Sequence, residues 1–264
     1  MPKYGFIPPT QDDRDYQLGA VSKVINPAGN WLAYTPLGET QSLKVDPNTC
    51  TCYALLNCIE ILENFQHKLS ENYSERGLAI PAGVRPPGAD PKKVMDFARK
   101  FGFISEEYLP FSSEIETLEE YFSPDPLPQR LKNIASKWLF KRSFSYELVF
   151  APWIQTNKPR AILEAIKRSP LSVSGYAWVK EGNFYVKPQA VRDNHNFVLI
   201  DAVENEYFLA WDSYPDGTSY LKKLAWNYDF GFCWAITLGE PKPISKGLWY
   251  YVKVLVEKII NLFR

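Results

Sequence analysis

Three of the four cysteines fall within nine residues, at Cys50, Cys52 and Cys58, where an amphipathic pattern begins. Ala54, Leu55, Cys58, Ile59, Leu62 and Phe65 recur at helical spacing with Glu60, Glu63 and Asn64 between them, which predicts a helix from Cys50 to about Leu69. Asp46, Asn48 and Thr49 just upstream are residue types that cap helix N-termini. The chain must therefore bury a helix that carries a thiol at its positive end. Four cysteines, three of them bunched, do not make a disulfide scaffold. The only histidines, His67 and His195, give no finger-like spacing, so a structural zinc site is not expected.

The rest of the chain predicts helices first and a sheet afterwards. Further helices are expected at Asp90–Phe101, with Pro91 in the first turn and Gly102 after the end, at Glu114–Tyr121, at Gln129–Trp138 and at Pro159–Arg168. Leu171–Val179, Asn183–Val186, Phe197–Val203, Tyr207–Asp212 and Phe232–Leu238 have strand composition with turn residues between them. This is an α+β layout whose two halves can enclose a cleft. The expected division is an arm over residues 1–40, a main domain over 41–240 (helical half about 41–140, β half about 141–240) and a terminal helix over 241–264. Thirty basic residues cancel thirty acidic ones, which argues against nucleic acid as a partner.

The chemistry suggested is a thiol with a distant imidazole. A thiol attacks a carbonyl as thiolate; a helix N-terminus lowers its pKa and an imidazole can take its proton. Cys50 heads its helix, His195 begins Asn196-Phe-Val-Leu-Ile, and Asp212 ends the next strand, placed to hold the imidazole in one tautomer.

Several stretches resemble the papain-like cysteine peptidases, specifically their divergent bacterial and phage-encoded branch. Gly5-Phe-Ile-Pro and Asp13-Arg-Asp-Tyr16 resemble the N-terminal arm of bacterial members. Gln41, through Asn48-Thr-Cys50-Thr-Cys-Tyr-Ala54, resembles the oxyanion glutamine, loop and nucleophile helix. Val94 to Phe111, with Gly102, Glu106, Tyr108 and Pro110, and Ser169-Pro-Leu-Ser-Val173 resemble the close of the helical half and the opening of the sheet half. His195 and Asp212-Ser-Tyr214 match the histidine and the third triad position. The resemblance covers roughly residues 5–238 and implies a two-lobed fold, a helical lobe and an antiparallel β lobe with the active-site cleft between them. It further implies a cysteine peptidase acting on peptides or proteins through an acyl-enzyme, with Cys50, His195 and Asp212 as triad, Gln41 in the oxyanion hole, and no cofactor or metal.

Departures from that pattern leave alternatives open. In papain a Trp follows the nucleophile and the glutamine lies six residues upstream; here Thr51 follows Cys50, Lys44 lies six upstream and Gln41 nine. The usual Asn is Asp212, and the Trp two residues beyond is Tyr214. Counting from Cys52 gives Cys-Tyr-Ala, nearer to papain's Cys-Trp-Ala, but places Asp46 where an oxyanion donor belongs. Cys50 is the preferred nucleophile and Cys52 the alternative.

Plainer readings stand beside these. His67 reads as solvated, Cys58 and Cys233 as core, Trp178 and Trp211 as core or cleft wall, and Asp212–Gly217 as a turn. Beyond Pro241, Pro243 and Gly247, residues 248–263 predict an amphipathic helix able to pack on its own domain, on a protein partner or at a membrane surface. That helix motivates the second function class, a structural or binding module of papain-like fold such as a phage virion or assembly component. The N-terminus lacks the pattern of a signal peptide, so a cytoplasmic site is expected, with virion association as the other location the resemblance allows.

Overall fold

The structure, a computed structural model, describes residues 5–12 and 22–240. Asp13–Tyr16 and the terminal helix expected at 248–263 lie outside the described residues.

Helix α1 (Cys50–His67) starts where the capping residues predict, and every residue from Cys50 to Glu63 is buried. Its N-terminus is not capped in the expected way. The Thr49 hydroxyl meets Tyr121 Oη at 3.2 Å, and Asp46 Oδ1 instead accepts from the Asn48 backbone N–H at 3.0 Å in a tight local turn. Around α1 stand α2 (Glu75–Ala79), α3 (Pro91–Phe101), α4 (Leu118–Tyr121) and α5 (Gln129–Lys141). Asp90 caps α3, accepting from Lys92 N–H at 2.8 Å, with Pro91 at the first position. The helix expected from Glu114 begins only at Leu118, because Thr117 and Glu120 form a reciprocal capping box that sets the start there.

The second half is a sheet of β3 (Ser143–Phe150), β4 (Leu171–Gly175), β5 (Val179–Glu181), β6 (Phe184–Val186), β7 (His195–Val203), β8 (Tyr207–Asp216), β9 (Ser219–Ala225) and β10 (Cys233–Gly239). Their order is β3-β10-β4-β7-β8-β9-β6-β5, antiparallel except for one parallel pair, Tyr185 with Leu224. Helix α6 (Lys158–Ala165) joins β3 to β4, and a short parallel pair of β1 (Gly5–Phe6) and β2 (Gly88–Ala89) ties the arm to the helical half. The single strand expected over Leu171–Val179 is two. At Tyr176 the Tyr228 hydroxyl takes both backbone bonds, accepting from N–H and donating to C=O at 2.8 Å each.

Two features of the sheet position the candidate site. Antiparallel pairing sets His195 opposite Gly175 at the start of β7, beside the head of α1. The β8–β9 ladder breaks between Trp211 and Asp216, so the backbone of residues 212–215 bonds elsewhere. The expected turn over Asp212–Gly217 is thus only its last part: Asp212 lies in the strand, and the reversal comes after Asp216 at Gly217.

Candidate active site

Cys50, His195, Asp212 and Gln41 come from four separate segments and are all buried. The head of α1 supplies Cys50, whose sulfur accepts the backbone N–H of Asn196, the residue after His195. His195 Nε2 donates to Asp212 Oδ1 at 2.5 Å. The other Asp212 oxygen accepts Tyr214 N–H at 3.2 Å and lies 3.1 Å from Lys222 Nζ. Burial alone would raise the Asp212 carboxyl, but the His195 imidazole and the Lys222 ammonium outweigh it and hold it below the usual carboxylate range.

The expectation that the helix end gives Cys50 a depressed pKa is not met. Burial pushes the Cys50 thiol well up; the Asn196 N–H pulls it back, while Asp212, Cys52 and Asp46 push it up again. Desolvation is the largest influence on the sulfur, ahead of the Asn196 N–H.

Gln41 sits against the unpaired stretch of β8. Its backbone N–H donates to Ser213 C=O at 2.9 Å, and its side-chain oxygen accepts from Ser213 Oγ at 3.0 Å. Its amide Nε2 donates to Tyr214 Oη at 2.8 Å and to Asp46 Oδ1 at 3.2 Å, while Tyr214 Oη donates to Asp46 Oδ2 at 2.6 Å. Gln41 is therefore next to the Asp212 strand, with its amide protons held by two neighbours.

Cys52, the alternative nucleophile, is buried two residues further into α1, where it acts electrostatically on both Cys50 and Tyr121, and burial pushes its thiol up to about 12. Cys58 lies a further turn and a half along α1, facing Pro170 C=O, and Cys233 is buried in β10. Trp178 is a wall of the site, its ring edge-on to His195 at 5.5 Å and tilted on Phe197 at 4.8 Å. Trp211 faces away and packs on Tyr220. His67 is half-buried at the end of α1, far along the helix from Cys50.

Nothing in the local sequence pattern of Lys222 marks it as part of a site. Adjacent Lys222-Lys223 looks like a solvated pair, yet Lys222 shares its strand face with buried Leu224 and is only 2% exposed, while Lys223 is exposed. That two-residue alternation is the signal that could have marked it as buried. Among the described residues no group of His, Cys, Asp or Glu could hold a metal ion.

No family model matches the sequence, and no curated protein matches it. Solved structures do. The chain is similar to xylellain, a cysteine protease from Xylella fastidiosa, with a TM-score of 0.63 and 16% identity over 89% of this chain and 96% of that one. It is similar to digestive procathepsin L 3 from the larval midgut of Tenebrio molitor, with a TM-score of 0.62 and 13% identity over 89% and 76%. The bromelain protease from Ananas comosus, solved with the E64 inhibitor, gives 0.55 and 14% over 79% and 97%. These are papain-like cysteine proteases, and the chain has their fold, a helical lobe set against a largely antiparallel sheet lobe.

Proposed function

We propose that the protein is a cysteine peptidase that hydrolyses peptide bonds through Cys50, His195 and Asp212. The observation that carries this reading is the convergence of a helix-heading thiol with a buried imidazole whose Nε2 is held 2.5 Å from a carboxylate. With Nε2 so engaged, Nδ1 is the nitrogen that takes the Cys50 proton as the sulfur attacks the scissile carbonyl. The tetrahedral oxyanion draws on the Cys50 backbone N–H and on a Gln41 N–H that leaves Asp46 or Tyr214. Collapse breaks the C–N bond, the leaving amine takes the proton from His195, and a thioester remains. Water, deprotonated by His195, then releases the acid and restores the thiol.

On this reading the Cys50 thiol, which burial pushes up, gives its proton to His195 as the sulfur attacks. Peptide and protein substrates follow from what the structural neighbours are called, and a bacterial or phage origin and a virion association from the sequence resemblance alone.

The test is intact-mass labelling with iodoacetamide near neutral pH, with peptide mapping, on wild type, Cys50→Ser, Cys52→Ala and His195→Ala, alongside peptide-library hydrolysis. Single labelling at Cys50 that slows without His195 and survives Cys52→Ala, together with cleavage lost in Cys50→Ser, is expected. Labelling spread over the four cysteines and indifferent to His195, with no cleavage, would overturn the reading in favour of a binding module. Labelling concentrated at Cys52 would overturn the assignment of the nucleophile.

A further inference from the structure

A buried ammonium sits behind the carboxylate of the site, at a position where an aliphatic side chain would be cheaper. Lys222 is 2% exposed and projects from the inward face of β9 beside Leu224. Its Nζ lies 3.1 Å from Asp212 Oδ2, donates to the Tyr214 C=O, and stands 5.1 Å from the Trp178 ring centre and 5.7 Å from that of Tyr185. Taking such a cation out of water is costly unless it is paired and hydrogen-bonded, and replacing a buried ion pair with apolar groups is often neutral or stabilising. Packing alone therefore does not account for it.

Its geometry does. Asp212 is shared end to end, one oxygen to His195 and the other to Lys222 and Tyr214 N–H. We propose that Lys222 is a positioning residue of this site: its ammonium fixes the Asp212 carboxylate and cancels its charge, so that His195 is oriented by an ion pair instead of a bare anion. The proposal rests on the peptidase reading for its purpose, not for its physics. An uncompensated Asp212 would do two things. It would stabilise the imidazolium of His195, making it slower to give its proton to a leaving amine, and it would push the Cys50 thiol up further, as Asp212 already does. The break in the β8–β9 ladder is what lets the Tyr214 carbonyl turn to Lys222 and lock the arrangement.

The chain has two histidines, so [15N]histidine labelling reads His195 against His67 as an internal reference. The other titratable groups facing the pair are Cys50, Asp46, Tyr185, Tyr214, Tyr228 and, on the Lys222 side, Asp216, and all are retained in every variant below. In Lys222→Met and Lys222→Gln the His195 midpoint should move up by about one pH unit while His67 stays in place. A His195 midpoint unchanged in either folded variant would overturn the proposal and leave Lys222 as a mere anchor for the Tyr214 carbonyl. Should both single variants fail to fold, the double variant Asp212→Asn/Lys222→Met, which removes both charges, is expected to fold and to melt above Asp212→Asn alone; no recovery there overturns the proposal too. The titration needs no turnover. Wild type that cleaves nothing but shows the His195 shift refutes the peptidase reading alone, and cleavage without the shift refutes only the role of Lys222.

Discussion

The Gln41 side-chain amide and the Tyr214 hydroxyl are hydrogen-bonded over 2.8 Å, across the junction between the loop before α1 and the unpaired stretch of β8. Tyr214 in turn donates a hydrogen bond to Asp46 Oδ2 at 2.6 Å, and its ring lies 5.1 Å from that of His195. A carboxylate and a phenol therefore compete with any substrate oxyanion for the Gln41 amide. The candidate oxyanion donor is present but engaged, and the energetics of releasing it belong to the reaction.

Replacing Gln41 should separate binding of the oxyanion from activation of the thiol. Gln41→Ala is expected to lower kcat/KM for a peptide substrate by about a hundredfold, the usual cost of losing one oxyanion donor. Alkylation of Cys50 by iodoacetamide generates no oxyanion and should change by less than about threefold. Equal losses in both measurements would mean that Gln41 merely supports the loop.

Stability should depend on pH through Glu106. Burial raises its carboxyl most, the Phe111 N–H pulls it back, Glu39 pushes it up and Arg76 pulls it down, leaving it at about 7. A carboxyl whose folded value lies above its unfolded one takes up a proton on folding. Its contribution is complete below the unfolded value of about 4.5 and is lost as pH rises through about 7. Glu106→Gln keeps an acceptor for Phe111 N–H but cannot ionise. Glu60 and Glu75, whose carboxyls are raised in part by the Glu106 charge, are relieved of it in the variant, so the difference reports Glu106 together with its hold on these two neighbours. In urea melts the variant should match or trail wild type near pH 5 and exceed it by about 1–3 kcal/mol near pH 8. Parallel stability curves across that range would contradict the assignment.

What could be read in the sequence was what depends on local pattern. The start of α1 at Cys50, the Asp90–Pro91 start and Gly102 end of α3, and the strands carrying His195 and Asp212 all follow from caps, breakers and alternation. Strand β3 was missed because it follows α5 after one residue, with no turn signal, and because its buried Glu147 owes its place to partners at Ser22, 125 residues away. Strand β9 was missed for its Lys222-Lys223 pair, since only the tertiary fold supplies the Asp212 that makes a buried lysine tolerable. The depressed Cys50 pKa failed for a related reason: a helix end can be read from residue types, whereas the depth of burial around it cannot.

Arg76 should prove irreplaceable by lysine. From α2 its guanidinium donates to the carbonyls of Tyr121 at 2.8 Å, Glu120 at 3.0 Å, Ser123 at 2.7 Å and Pro110 at 2.5 Å. A planar fork reaches four acceptors that a single ammonium cannot span. Arg76→Lys is expected to cost about 2–4 kcal/mol in denaturant unfolding, since buried carbonyls lose charged donors. Because Tyr121 also meets Thr49 beside the nucleophile, Cys50 alkylation should change with it. A loss under about 0.5 kcal/mol would show that water readily replaces the guanidinium.

Gly102 closes α3 in a conformation reserved for glycine, at φ +85° and ψ −165°. A Cβ there would stand 2.0 Å from the Ala135 carbonyl oxygen and 2.8 Å from its carbon, so the obstacle is the backbone of α5 and not a side chain that can swing away. Gly83 offers the contrast, since its φ is also positive at +70° but a Cβ would meet nothing within 4 Å. Gly83→Ala should therefore cost only the backbone strain, about 1 kcal/mol. Gly102→Ala adds a clash that can be relieved only by moving α5 off α3, and about 3 kcal/mol or more is expected by urea denaturation. Similar losses at the two positions would mean that strain alone governs both and that the α3–α5 contact gives way without cost.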